Sequence, residues 1–397
     1  MDANDRSITR FTMVAHASFH AYEMTIPLFV VVWLSTFDVS TAVLGAVVAV
    51  GYGLIGIGAL PSGSLADSYG SKRLVVVSLV GMAVGFLLTS VATNVVVLAV
   101  ALILWGAAAS IYHPAGLSLL TRGTDQQGTA LAYHGLAGNV GTAVGPLVAA
   151  LLLTVFEWRV VVVVFALPAL AVAAGARRIS FEERAGDGSG TVETDAFLEQ
   201  SKRLFAGSFV IVLAIAMLAG TYYRGVFTFL PDVLADQPVF SPVEIGAETF
   251  EPSQYAYAGL LLIGGVGQYV GGRLSDRVDP ESAIVVAFVA LIAVALLFVP
   301  AANAGLVPLL LVCAALGFFV FFEAPIQQAL VGKHVPADVQ GLSFGYVYLC
   351  VFGVGAVGSA LAGVALAHGG VPLLFAMVSV LAVAALAFAG YLFVTER

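Results

Sequence analysis

Three polar side chains interrupt the apolar run FTMVAHASFHAYE at residues 11–23: His16, His20 and Glu23. Spacings of four and three set them along one stripe of a helix. Imidazoles and a carboxylate in such a row can hold a metal ion, pass protons, handle a bound solute, or simply hydrogen-bond to neighbouring helices. Zinc hydrolases place two histidines four apart with a glutamate directly after the first as general base. Ala17 follows His16 here, so the base is missing from that place. Neither a metal nor a cofactor is expected, and an intramembrane metallohydrolase on His16, His20 and Glu23 stands only as the alternative of another class.

The elements that must carry these side chains are set by composition. Of 397 residues, 60% are hydrophobic and 10% charged, whereas soluble domains carry about 25% charged residues. So much apolar surface belongs in a bilayer, which a helix of about 20 apolar residues crosses. The first apolar run is too long, and too rich in ionisable residues, for a cleaved signal peptide. Breaking the chain at charged, Gly- and Pro-bearing turns gives twelve spans, near 9–36, 41–66, 73–93, 95–121, 128–155, 158–177, 204–234, 252–274, 281–301, 304–332, 339–367 and 370–394. The polar piece RRISFEERAGDGSGTVETDAFLEQSKR (177–203) separates six from six. The expected fold class is an all-α membrane protein with twelve transmembrane helices in two pseudo-symmetric six-helix bundles, 1–177 and 204–397, joined by a cytoplasmic linker, 178–203. Cys313 and Cys350 both lie in apolar runs and read as small core residues rather than a disulfide framework.

Basic residues give the orientation. With a cytoplasmic N-terminus, 14 of the 16 lysines and arginines fall on the inner side, Arg159 and Arg224 being the others. That asymmetry places both termini in the cytoplasm. The halves also echo each other. GSLAD at 63–67 matches GRLSD at 272–276, Pro114 matches Pro325, Gly128 and Gly145 match Gly341 and Gly358, and His20 matches Arg224, with offsets of 209, 211, 213 and 204. Ordered offsets of similar size point to an internal duplication.

At GSLADSYGSKR (63–73) the chain resembles the major facilitator superfamily, whose loop between helices 2 and 3 carries Gly, Asp, Gly and then bases: here Gly63, Asp67, Gly70, Lys72 and Arg73. Gly63 would allow close helix approach and Gly70 a tight turn, while Asp67 would latch the cytoplasmic side at a helix N-terminus or on a base. Ser68 replaces the family's usual base after the Asp. Asp276 and Arg277 keep that pair in the second half, without the Gly-basic tail. GTAVGP (141–146) is similar to the helix 5 signature of proton-coupled antiporters. Gly138, Gly141 and Gly145 share a face for close packing, and Pro146 can bend the helix. Together with HxxxH, YHPAGLSLL and HGLAGNVGTAVGP, these motifs look like the fosmidomycin-resistance-type branch. That resemblance implies proton-driven export of small drug-like or anionic molecules. The expected location is the plasma membrane, and the expected state a monomer without nucleic-acid partners. Uptake symport or facilitated diffusion of a metabolite is the alternative within the fold.

In that superfamily spans 1, 4, 7 and 10 line the central cavity, and His16, His20, Glu23, His113, Arg224 and Glu323 all fall on them; His134 lies on span 5. Charge at bilayer depth is costly, so such side chains face a wet cavity or each other. Glu23 and Glu323, with His20 and His113, are the proton-coupling candidates; pairing within the structure is the competing role. Arg224 needs an acid or a substrate anion. His16, Tyr112, His134, Tyr223, Phe322 and Gln327 complete the candidate substrate contacts.

Overall fold

The computed structural model describes residues 1–176, 178–183, 194–246, 248–336 and 339–395; Arg177, Arg184 and Arg397, counted above among the inner bases, lie outside them. Each of the first ten expected spans coincides with one helix or with two in succession, and the last two share the final helix. In chain order these are α1 (Ala3–Phe37), α2 (Thr41–Ile57), α3 (Ala59–Tyr69), α4 (Ser71–Ser90), α5 (Val95–Ala109), α6 (Tyr112–Gly123), α7 (Gln127–Leu153) and α8 (Trp158–Gly175). After the polar piece come α9 (Thr194–Phe205), α10 (Phe209–Phe227), α11 (Leu230–Ala235), α12 (Pro252–Ser275), α13 (Pro280–Ala304), α14 (Leu306–His334), α15 (Gln340–Tyr348) and α16 (Val357–Thr395). The protein is thus an all-α membrane protein. Among the described residues, nine helical stretches are long and apolar enough to cross a bilayer. The strands among the described residues form a short hairpin, Val243–Ile245 paired antiparallel with Glu248–Phe250, in the acidic loop before α12.

Helix ends follow from local chemistry. Asp2 caps α1 by accepting from the Asp5 amide at 2.7 Å, and Asn94 caps α5 by accepting from the amides of Val96 and Val97. The Asp5 carboxylate accepts from the amides of Asp125 and Gln126 at 3.0 and 3.1 Å, just before α7 begins. It thereby supplies partners that the start of a helix lacks, next to the positive end of its dipole. Replacing Asp5 with alanine is expected to cost about 1–2 kcal/mol, seen as a lower melting temperature in detergent. An unchanged melt would show that this tie is redundant.

Four of the expected single spans are broken: 41–66 at Gly58, 95–121 at Ser110–Ile111, 204–234 at Thr228–Phe229 and 339–367 at Leu349–Val354. The stretch 95–123 is interrupted at Ser110–Ile111. Pro114 lacks the N–H that would bond back to the Ser110 carbonyl, so the chain restarts there as α6. A π-helical turn, Leu349–Val354, links α15 to α16. Gly370, at φ 63°, breaks α16 at the boundary expected between the eleventh and twelfth spans; that conformation suits a residue without Cβ.

The contacts divide the chain into two units, Met1–Val39 with Val50–Val192, and Ser40–Ala49 with Glu193–Arg397. The first ten residues of this second set, expected with the N-terminal bundle, group with the C-terminal one. The Thr41 hydroxyl donates to the Gly363 carbonyl at 2.9 Å, and a Cβ at Gly45 would overlap the Ser359 carbonyl. Part of the expected linker is helix: α9 docks on α15 through Ser201 and the Tyr346 hydroxyl, 2.8 Å apart.

The same pairing recurs inside each unit: α1 on α7 and α10 on α16, α4 on α5 and α13 on α14, α4 on α8 and α13 on α16. The duplicated positions behave alike. Gly145 of α7 meets Ala21 of α1, and its counterpart Gly358 of α16 meets Thr221 and Gly225 of α10. Ala21 and Gly225 are themselves 204 apart, the offset of His20 and Arg224.

Candidate functional site

In the first unit, α1, α6 and α7 gather the histidines. Small residues on α7 let α1 approach. A side chain at Gly141 would overlap the Ala17 backbone, and one at Gly138 would overlap the His16 ring. The His16 imidazole therefore lies flat on His134, centroids 3.8 Å apart and planes 8° apart, with its Nδ1 2.8 Å from the His134 carbonyl. His20 Nδ1 is 2.8 Å from a Glu23 carboxylate oxygen, and His20 Nε2 is 3.0 Å from His16 Nε2. His113 closes the group, its ring 5.2 Å from that of His16 and 5.6 Å from that of His20. Tyr112 donates its hydroxyl to the Thr12 carbonyl at 2.8 Å and accepts from His134 Nε2 at 3.1 Å. Glu23 is 1% exposed, and its backbone carbonyl takes the Tyr52 hydroxyl at 2.8 Å. The structure thus brings together the whole set expected from spans 1, 4 and 5: His16, His20, Glu23, Tyr112, His113 and His134.

The gating set divides. Gly70 takes φ 84° at the junction of α3 and α4. Beyond it, Glu183 supplies the acid at the N-terminus of α4, accepting from the amides of Ser71 at 2.5 Å and Lys72 at 3.3 Å. Lys72 donates to the Ile179 carbonyl at 2.6 Å and lies over the Phe181 ring. Asn4 and Glu182 exchange bonds, and Asn4 also reaches the Gly123 carbonyl. Residues 179–183 therefore fasten the starts of α1 and α4 to the end of α6, a role with no clear signal in the sequence beyond a Glu near a basic turn. Gly63 departs from its expected part: a Cβ there would meet nothing within 4 Å, so close packing is not why a glycine stands at that place. The Asp67 side chain lies outside the described residues. Arg73, Asp276 and Arg277 are exposed.

The second unit holds the other polar candidates. Arg224 of α10 is 3% exposed, and its guanidinium lies 5.3 Å from the Tyr223 ring centre and 5.7 Å from that of Phe352. Such contacts favour a cation electrostatically. Phe352 belongs to the π-helical turn, and Tyr348 stacks on it. Neither stood out in the sequence, where aromatics are common in any apolar run. On α14, Glu323, Phe322 and Gln327 are all buried. Glu323 Oε1 and Gln327 Nε2 have no hydrogen-bond partner among the described residues. Glycines 264, 267 and 271 of α12 press against the α14 backbone and the Phe321 ring. Their spacing of three and four was the unread signal for this packing. Apart from these, Glu281 at the start of α13 joins Lys333 and His334 at 2.9 Å each, and His334 Nδ1 reaches Ser208.

Comparison with known proteins agrees with this architecture. A family model described as Major Facilitator Superfamily matches residues 12–359. A triacylglyceride transporter of Mycolicibacterium hassiacum is 33% identical over 115 residues, which is 28% of this chain and 22% of that protein. Among solved structures, a mutant of the nucleoside transporter NupG superposes with a TM-score of 0.78 at 15% identity, covering 99% of this chain and all of that one (100%). A D-xylose-proton symporter gives 0.77 at 13% identity, covering 98% and 97%. An inward-facing, unoccupied bacterial homologue of the human lysosomal transporter Spinster gives 0.72 at 15%, covering 99% and 96%.

Proposed function

The chain belongs to the Major Facilitator Superfamily, and from that premise we propose that it exports small anionic or drug-like organic molecules across the plasma membrane in exchange for protons, by alternating access. It is a transporter and not an enzyme, which removes the metallohydrolase alternative on His16, His20 and Glu23.

The observation that carries the proposal is Glu323. It is a buried carboxyl group on an apolar helix with one oxygen lacking any hydrogen-bond partner among the described residues. Leaving a carboxylate oxygen in that condition is costly. A proton arriving on the carboxyl group removes its charge, the larger part of that cost, and its departure restores it. That is the elementary requirement for coupling a proton to a change of state. Arg224, buried among aromatic rings in the same unit, supplies the positive centre for an anionic solute. The Gly-x-x-x-Gly-Pro run of α7 favours exchange over uptake.

The alternative of the same fold is uptake together with protons, the mode named for the D-xylose relative. Flux direction separates the two. In acid-loaded inverted membrane vesicles containing the chain, fosmidomycin, or a member of a panel of small organic anions, is expected to dissipate the pH gradient while the solute enters the vesicle. Movement of proton and solute in the same direction would establish symport and overturn export.

A further inference from the structure

We infer that His16, His20 and His113 form a binding site for one divalent transition cation of the zinc class, inside the first unit. One ring nitrogen from each residue can be chosen so that all three lie within 4.8 Å of one another. Two come from α1 and one from α6.

Counting hydrogens shows why something positive is wanted there. A carbonyl oxygen only accepts, so His16 Nδ1, 2.8 Å from the His134 carbonyl, carries its hydrogen. His20 Nδ1 faces the Glu23 carboxylate at 2.8 Å and donates to it. With both rings neutral, each Nε2 is a bare lone pair. These two lone pairs face each other at 3.0 Å. That arrangement repels unless a cation is shared between them.

The surroundings are those of metal-bound histidines. Such residues give their second ring N–H to a carboxylate or a backbone carbonyl, which fixes the tautomer and aims the other nitrogen at the metal. His20 uses a carboxylate and His16 a carbonyl. The His16 ring is further fixed by the stack on His134 and by Gly138, where a side chain would displace it. Zinc takes three imidazoles with an open fourth position, at about 2.0–2.1 Å from nitrogen. Tetrahedral ligands are then about 3.4 Å apart, so small ring rotations close the observed cluster on an ion. The His20 side chain, 20% exposed, provides the opening to water. From sequence alone no metal is expected, because His113 joins the HxxxH pair only in space. The inference concerns a bound ion that ties α1 to α6, and it stands independently of the export proposal.

The test uses the full-length chain, purified in detergent and stripped with a chelator. Titration with zinc followed by calorimetry should give one ion per chain with micromolar or tighter affinity. Cobalt(II) in its place should give the intense visible absorption of a tetrahedral site. His20→Asn should weaken zinc binding at least about 100-fold, and Glu23→Gln about 10–100-fold, with size-exclusion profiles unchanged. His334→Asn, outside the cluster, should leave binding as it is. If His113→Asn does not fold, the variant at the partly exposed His20 and the cobalt spectrum of the native chain still decide. Absence of stoichiometric zinc, a weak octahedral cobalt spectrum, or binding indifferent to His20→Asn would overturn the site and leave a shared proton as the occupant.

Discussion

Gly141→Leu is expected to abolish the folded protein. A Cβ alone at this position overlaps the Ala17 backbone on α1, and backbone cannot swing aside as a flexible side chain can. Overpacking a tight core costs about 1–3 kcal/mol for extra methylenes. Here a whole isobutyl group would enter a place with no room for its first carbon, along the most extensive helix pairing of the first unit. Helices in lipid associate through close packing of small residues rather than by escape from water, so separating α1 from α7 removes the main attraction between them. The expected outcome is loss of the monodisperse peak in fluorescence-detected size-exclusion chromatography. Gly128→Leu on the same helix, where a Cβ meets nothing within 4 Å, should retain that peak. Equal behaviour of the two variants would mean that the α1–α7 seam is looser than described.

Glu323→Gln is expected to uncouple transport from protons. Glutamine keeps the size and hydrogen-bonding capacity of the protonated acid but has no proton to release. Flux driven by a pH gradient in proteoliposomes should fall at least tenfold, which corresponds to about 1.4 kcal/mol or more of lost coupling. Exchange of labelled for unlabelled solute, which needs no net proton movement, should persist. If gradient-driven flux survives in Glu323→Gln, the proton is carried elsewhere. If exchange is lost as well, the carboxylate serves solute binding and not coupling.

The helices were legible because charges are so sparse that nearly all of them mark a boundary, Glu23, Arg224 and Glu323 being exceptions inside spans. Breaks inside the apolar spans were not. Around Ser110–Ile111 and Phe229 the spans stay apolar enough to read as one, and only the prolines just beyond, Pro114 and Pro231, mark the restart. The stripe of His16, His20 and Glu23 was legible from helical spacing. Its completion by His113 and His134 was not, since periodicity orders residues along one helix and is silent on which helix lies opposite. Gly138, Gly141 and Gly145 were readable as a packing face. Gly63 misled because a glycine in a motif can serve a turn, a contact or neither. The allegiance of residues 40–49 depends on Thr41 reaching Gly363, far away in the chain, and no local pattern announces it.

The π-helical turn at Leu349–Val354 carries one residue more than an α-helix would need for the same rise, recorded in the bond from the Gly355 amide to the Cys350 carbonyl at 2.8 Å. An added residue turns everything after it by about 100°. Gly355 and Gly358, which now nestle on α10, would face another direction if the surplus were excised. A single-codon deletion anywhere in this turn would therefore act at a distance. It would spare local helicity yet swing the face that α16 offers to Thr221 and Gly225, making the turn intolerant of a change in length.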